Sequence, residues 1–328
     1  MKKIAFVCVL AFLFSCKTET KKKAQKEKNK VETPTKARIN IDDLTSINLG
    51  SGSVQRITGL PSEYIKPRPV DVWLPDGYSK EKEYSVLYMH DGQMLFDAVT
   101  TWNKQEWKVD EIAGQLQKEQ KTKDFIVVAV HNISEIRWND YFPAKAMDFV
   151  SKEDKAKITE LAHRNNANTD LYADNYLKFL VKELKPLIEK VYSVKTDAAN
   201  TSVAGSSMGG LISMYAISEY PEVFGAAACI STHWPGAGVS DENPLPDAIF
   251  KYMEENIPSP DTHRIYYDYG DQTLDQYYPQ YASRVDAIMK GKGYDVSNFE
   301  NRFFKGADHS ENSWNQRLDI PFMFLLGK

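Results

Sequence analysis

Three cysteines are few for a chain of 328 residues, and only Cys229 lies beyond position 16. A lone thiol within the apolar stretch Phe224 to Ile230 closes no intrachain disulfide, so stability must come from the core alone. No Cys/His cluster has structural-zinc spacing and no Asp-x-Asp loop offers a calcium site, so no metal is expected. The apolar run Ile4 to Phe14 is too short to span a bilayer comfortably. No internal repeat or linker interrupts residues 39–328, which points to one large domain. Positive charge is scarce there: 30 Lys and Arg face 42 Asp and Glu, a net of −12. An acidic domain of that kind is a poor nucleic-acid binder.

Hydrophobic residues make up 42% of the chain and aromatics 12%, enough for a large core and too apolar for a disordered protein. Residues 1–16 stand apart. Lys2 and Lys3 precede the apolar run, which has the build of a secretory signal. It ends in Leu13-Phe14-Ser15-Cys16, which resembles the lipobox of bacterial lipoproteins. That resemblance implies cleavage before Cys16, lipidation of its sulfur, and an exported protein anchored to a bacterial membrane, on the periplasmic face or the cell surface. An ordinary secretory signal, with Cys16 incidental, is the alternative. Residues 17–38 carry nine Lys or Arg, three Glu and Pro34, and almost nothing apolar. They read as a disordered basic tether lying near lipid headgroups.

Beyond the tether, strand-like runs alternate with helical patterns. The runs are Val54–Leu60, Pro69–Leu74, Tyr84–Met89, Phe125–Val130, Thr201–Ala204, Phe224–Ile230, Arg264–Tyr269 and Phe299–Phe304. Several are apolar throughout, as strands covered on both faces should be. Helices are expected over Asp174–Val191, Met208–Ile217 and Leu274–Met289, with Pro186 kinking or breaking the first. This alternation predicts an α/β fold: a mostly parallel central sheet of about eight strands, helices on both faces, opening with antiparallel strands. Ser151 to Asp170 is a polar excursion.

The segment Thr201-Ser202-Val203-Ala204-Gly205-Ser206-Ser207-Met208-Gly209-Gly210-Leu211 carries the chemistry. Gly205-x-Ser207-x-Gly209 is the nucleophile-elbow pattern, in which a strained strand-to-helix turn lifts the serine oxygen out of the sheet. A strand-like run precedes it and a helix-compatible run follows, so Ser207 is the candidate nucleophile. Ser202, Ser206 and Ser213 do not occupy the turn apex.

A serine hydroxyl needs a base, and six histidines compete. The site of such a fold lies beyond the carboxyl ends of the strands. His163 is in the polar excursion and His263 precedes its strand. His90, His131 and His233 follow apolar runs, but chain order in this architecture is Ser, acid, His. His309, after the last run, leaves room for an acid after Arg264–Tyr269. There Asp271 and Asp275 both stand in the turn, with Asp275 the first choice; Asp268 lies within the strand and reads as structural. An oxyanion hole needs two backbone N–H groups. Met208 follows the nucleophile, and Gln93 is assigned from the loop His90-Asp91-Gly92-Gln93.

Together, His90-Asp91-Gly92-Gln93-x-Leu95-Phe96, Gly205-x-Ser207-x-Gly209-Gly210 and His309-x-Glu311-x-x-Trp314 resemble the putative-esterase family of α/β-hydrolases. That family is similar to enterochelin, feruloyl and acetyl-xylan esterases and to S-formylglutathione hydrolase. The resemblance runs from about residue 52 to the C-terminus. It implies the α/β-hydrolase fold, a Ser207–Asp–His309 triad, and ester hydrolysis without a cofactor. In place of the Gly-Thr-x-Asp or Gly-Thr-Glu-Thr-Leu-Asp-like stretch of many members stands Gly270-Asp271-Gln272-Thr273-Leu274-Asp275, which matches the second version. This pattern favours Asp275 and adds Asp271 as a competing carboxylate.

Trp102, Arg137, Trp138, Tyr141, His233 and Trp234 all follow strands on the expected rim. The aromatics are candidates to stack on a sugar or aryl group, and Arg137 to bind a carboxylate. Export and the resemblance lean toward sugar or plant-wall esters, acetyl or feruloyl. A siderophore ester of the enterochelin type, and a non-catalytic lipid-anchored module that binds a glycan or other ligand, are the alternatives.

Overall fold

Continuous runs of Val, Ile, Leu and Ala form the centre of the sheet, because a parallel strand buried on both faces has no polar side. In the computed structural model, which describes residues 38–164 and 168–328, nine strands lie in the order β1-β2-β3-β5-β4-β6-β7-β8-β9. They are β1 (Asn40–Asp43), β2 (Ser53–Thr58), β3 (Val70–Leu74), β4 (Ser85–His90), β5 (Phe125–Val130), β6 (Thr201–Ser206), β7 (Ala226–Ile230), β8 (Arg264–Tyr269) and β9 (Phe299–Phe303). Each expected run holds a strand. The ninth, β1, is the short polar edge segment Asn-Ile-Asp-Asp, mostly exposed and without an apolar pattern to announce it. Pairing is antiparallel through β1, β2, β3 and β5, and parallel from β5 through β4, β6, β7 and β8 to β9.

The helices are α1 (Val109–Lys118), α2 (Arg137–Tyr141), α3 (Lys152–Arg164), α4 (Ala173–Lys178), α5 (Lys185–Val191), α6 (Met208–Glu219), α7 (Leu245–Asn256), α8 (Pro279–Gly291), α9 (Glu311–Asn315) and α10 (Asp319–Leu326). Successive strand residues face opposite sides, which divides the core in two. Leu87 and Met89 of β4 and Val127 of β5 pack with Val109, Ala113 and Leu116 of α1 and Phe322 and Leu325 of α10. Val86, Tyr88, Ile126 and Val128 pack against the other layer, with Leu177 of α4, Leu211 and Ile212 of α6 and Ile249 of α7. α6 is buried from Met208 to Ile217, as a helix apolar on every side must be.

Pro186 does not break the helix. α4 runs into a π-helical turn, Phe179–Leu184, and then into α5, with Pro186 in the first turn of α5. A wider turn accommodates a residue that lacks an N–H and whose ring would crowd the carbonyl four residues back. The polar excursion contains α3. The signal segment, the lipid site at Cys16 and all of the tether except Arg38 lie outside the described residues.

The strand order also locates a crevice. From β4 the chain moves to β5 on one side and then returns to β6 on the other. Connections leaving in opposite directions open a gap beyond the carboxyl ends of β4 and β6. The loops carrying Gln93 and Ser207 flank that gap.

Candidate active site

Ser207 is the one residue between β6 and α6, with φ 59° and ψ −122°. Side-chain-bearing residues rarely adopt this backbone, at a cost of about 1–3 kcal/mol. The surroundings hold it there. Its N–H donates to the Ile230 carbonyl at 3.0 Å, and its own carbonyl accepts from the His233 N–H at 3.1 Å. A Cβ on Gly205 would come within 2.8 Å of the Gly209 backbone, so the tight return needs glycine.

The loops after β8 and β9 bring an acid to His309. Nδ1 of His309 lies 2.5 Å from Oδ1 of Asp275, which is fully buried. The other oxygen, Oδ2, accepts the Ser231 hydroxyl and the Gly270 N–H, both at 2.7 Å. Donors on Oδ2 suit a carboxylate, so Nδ1 of His309 carries the proton and Nε2 is left as the acceptor. The His309 N–H donates to Thr273 Oγ1 at 2.9 Å, fixing the backbone beneath the ring. Asp271 takes a different place: it accepts the Gly306 N–H at 2.8 Å and braces that turn. Asp268 binds Arg317 at 3.0 Å, within the strand where a structural role was expected. His90, His131, His233 and His263 each have hydrogen-bond partners elsewhere.

Asp91, at φ 58°, turns the loop after β4. Its carboxylate takes Arg137 through Nε at 2.8 Å and Nη2 at 2.7 Å, and Asn132 Nδ2 at 2.6 Å. Burial, the largest influence, opposes its charge, but Arg137 together with Asn132 and His90 holds the carboxyl below its usual range. A Cβ on Gly92 would lie 2.5 Å from the Ala129 carbonyl, so only glycine lets this loop pass. Gln93 Oε1 accepts the Asn132 N–H at 3.0 Å. The loop is thereby held beside the elbow. Met208 opens α6, so its N–H is among those without a partner inside the helix.

A cavity of about 630 Å³ is lined by Ser207, His309, Gln93, Trp102, Arg137 and Trp314. Trp102 stands 84% exposed at its rim. Four other sequence candidates are corrected by their packing. The Trp138 N–H donates to the Gly236 carbonyl at 2.7 Å and its ring stacks on Phe142. Tyr141 is fully buried against His90 and Tyr176, and Trp234 is buried against Phe250. His233 is hydrogen-bonded through both nitrogens, to Tyr278 and to the Ala237 carbonyl, and burial pushes its pKa down to about 4. Following a strand brings a residue's backbone to the rim, but a large ring turns inward where apolar surface awaits it. Arg137 does line the cavity, with its guanidinium committed to Asp91.

Several site residues were missed. The Ser231 hydroxyl joins Asp275, the Trp314 N–H at 3.0 Å and Arg317 at 2.9 Å. Tyr278 bonds His233 at 2.8 Å, interacts with the Ser207 side chain, and sets its ring edge-on to His309. Trp314 was visible in the motif that follows His309; Ser231 and Tyr278 had no local signal. Among the described residues, no three His, Cys, Asp or Glu side chains are grouped to hold a metal ion.

The family described as Putative esterase matches residues 62–324. An endo-1,4-beta-xylanase/feruloyl esterase of Xylanibacter ruminicola is 27% identical over 217 residues, covering 63% of this chain and 24% of that protein. This chain thus spans about a quarter of that relative's length. A ferulic acid esterase structure is similar with a TM-score of 0.58 and 22% identity, covering 83% of this chain and 96% of that one. The enterochelin esterase of Shigella flexneri is similar with a TM-score of 0.59 and 16% identity, covering 89% and 58%. At such identities the two structures establish the fold, that of an α/β-hydrolase.

Proposed function

The chain belongs to the Putative esterase family of α/β-hydrolases, carboxylic ester hydrolases, and from that premise we propose that it acts through an acyl-enzyme on Ser207. Nε2 of His309 takes the Ser207 proton as the oxygen attacks the ester carbonyl carbon. The developing oxyanion receives the N–H groups of Met208 and Gln93. As the tetrahedral centre collapses, the bond to the alcohol oxygen breaks and His309 returns the proton to it. Water, activated by His309, then cleaves the acyl–serine bond. Asp275 keeps the imidazole in the required tautomer.

The observation that carries this reading is the 2.5 Å contact of His309 with the buried Asp275, in a cavity that also exposes the strained Ser207. Ser207→Ala should abolish hydrolysis of p-nitrophenyl acetate and labelling by a fluorophosphonate probe, with the circular dichroism spectrum unchanged. Surviving activity would overturn the assignment, and absent labelling of the unmutated protein would favour a non-catalytic binding module.

The substrate we propose is a sugar or plant-wall ester, acetyl or feruloyl. The name of the Xylanibacter relative and the exposed Trp102 ring support it. A siderophore ester is the second reading, prompted by the likeness to the enterochelin esterase. Such anionic ligands would meet an Arg137 already paired with Asp91, which favours the neutral glycan. We also propose that Cys16 is lipidated and holds the enzyme to a bacterial membrane. Cys16→Ser should then move the protein from the detergent phase to the aqueous phase on partitioning; unchanged partitioning would refute the anchor.

A further inference from the structure

A second cavity, of about 640 Å³, lies on the other flank of the His309 loop. It shares Gln105 and Ser310 with the cleft that holds Ser207, so the two spaces adjoin across those side chains. Each has the size of a small-molecule site. Acyl transfer needs only the first. We propose that the two form one groove that holds a neutral oligosaccharide chain, with the ester at Ser207 and further sugar units across Gln105 and into the second cavity. This rests on the glycan-ester reading above.

The chemistry of the walls selects the occupant. Phe303, half exposed, faces the second cavity, and Trp102 stands at the rim of the first. Between them lie the amides of Gln105, Asn312 and Gln316 and the hydroxyl of Ser310. Aromatic faces accept the apolar faces of pyranose rings, while amides both donate to and accept from sugar hydroxyls. A charged polymer would find less. Arg317 is engaged by Asp268, and the remaining charged residues of the lining, Lys305 and Asp308, are of opposite sign, so neither sign dominates there.

The saddle between the cavities is preformed. Asn103 Nδ2 donates to Glu311 at 2.8 Å, Asn315 Nδ2 to the Glu106 carbonyl at 3.0 Å, and the Asn312 N–H to Gln105 Oε1 at 3.4 Å. These contacts staple the Trp102 loop to α9 across some 208 residues of sequence. A ligand therefore meets a wall already in place, which lowers the ordering cost of binding.

The test separates binding from turnover. Full-length Ser207→Ala protein is titrated calorimetrically with xylohexaose, an unesterified neutral chain. Binding is expected, weakened at least fivefold by adding Phe303→Ala or Asn312→Ala, both changes at exposed side chains that folding should tolerate. No binding, binding indifferent to both changes, or tighter binding of an oligogalacturonate would each overturn the proposal. Because the titration needs no hydrolysis, its outcome stays distinct from the esterase reading, which the activity of the unmutated enzyme on p-nitrophenyl acetate tests separately.

Discussion

The Ser231 hydroxyl donates to Oδ2 of Asp275 over 2.7 Å, while His309 occupies the other oxygen of the same carboxylate. Ser231 adopts φ 40° to do so, at the end of β7, and its oxygen also accepts from Trp314 and Arg317. A strained serine ringed by donors acts as the back support of the acid. It is fully buried and does not line the cavity that holds Ser207.

Ser231→Ala should therefore lower kcat on p-nitrophenyl acetate about tenfold, the value of one hydrogen bond to a charged group. KM should stay within about twofold, because the change acts on the orientation of His309 and leaves the cleft intact. A rise in KM with kcat unchanged would count against the positioning role.

Asp275 and Asp271 separate cleanly by substitution. Asp275→Asn should reduce kcat by roughly 10³- to 10⁴-fold, since an amide no longer dictates the imidazole tautomer. Asp271→Asn removes the charge but keeps an oxygen that accepts the Gly306 N–H, and should keep activity within about threefold. Steady-state kinetics on the two variants checks both halves; equal losses would contradict the geometry.

Arg137→Met should destabilise the fold by about 3 kcal/mol, because it leaves the Asp91 carboxylate buried without its cation. Arg137 holds the Asp91 carboxyl low, so its contribution is present above the unfolded value of about 4 and fades as pH falls below it. Urea unfolding at pH 7 should show the deficit, and the variant and parent should converge in acid.

Asp110 gives the opposite slope. Burial, and then Glu111 beside it, push its carboxyl up to about 7, while its Oδ2 accepts the Gly50 N–H at 2.6 Å. The unfolded chain releases that proton near pH 4, so stability from this group is lost as pH rises from about 4 to 7. Asp110→Asn mimics the neutral acid and should melt at a higher temperature than the parent at pH 8. Scanning calorimetry at pH 5 and pH 8 should show the gap closing at the lower pH.

Much of the fold could be read from residue order. Runs such as Phe125–Val130 are apolar throughout because both faces of a parallel strand are covered, and that need is written into the segment itself. The edge strand β1 could not be read, since Asn40–Asp43 pairs on one side only and asks little of its side chains.

The site divides along the same line. Ser207 was legible because its elbow is a local backbone property, set by Gly205, Gly209 and Gly210 within a few residues. Between Asp275 and Asp271 the chain offers two carboxylates four residues apart in one turn, and nothing in that turn ranks them physically. Packing ranks them, by burying Asp275 against a serine 44 residues away and a histidine 34 residues away. The same holds for the rings: chain order put Trp102 and Trp234 on one rim, and only the apolar surface of α7 and its neighbours turned Trp234 inward while leaving Trp102 in solvent. Local sequence determines backbone shape and the burial a segment can bear. Which side chains meet across the sheet is a property of the closed tertiary structure, because their partners arrive from distant strands.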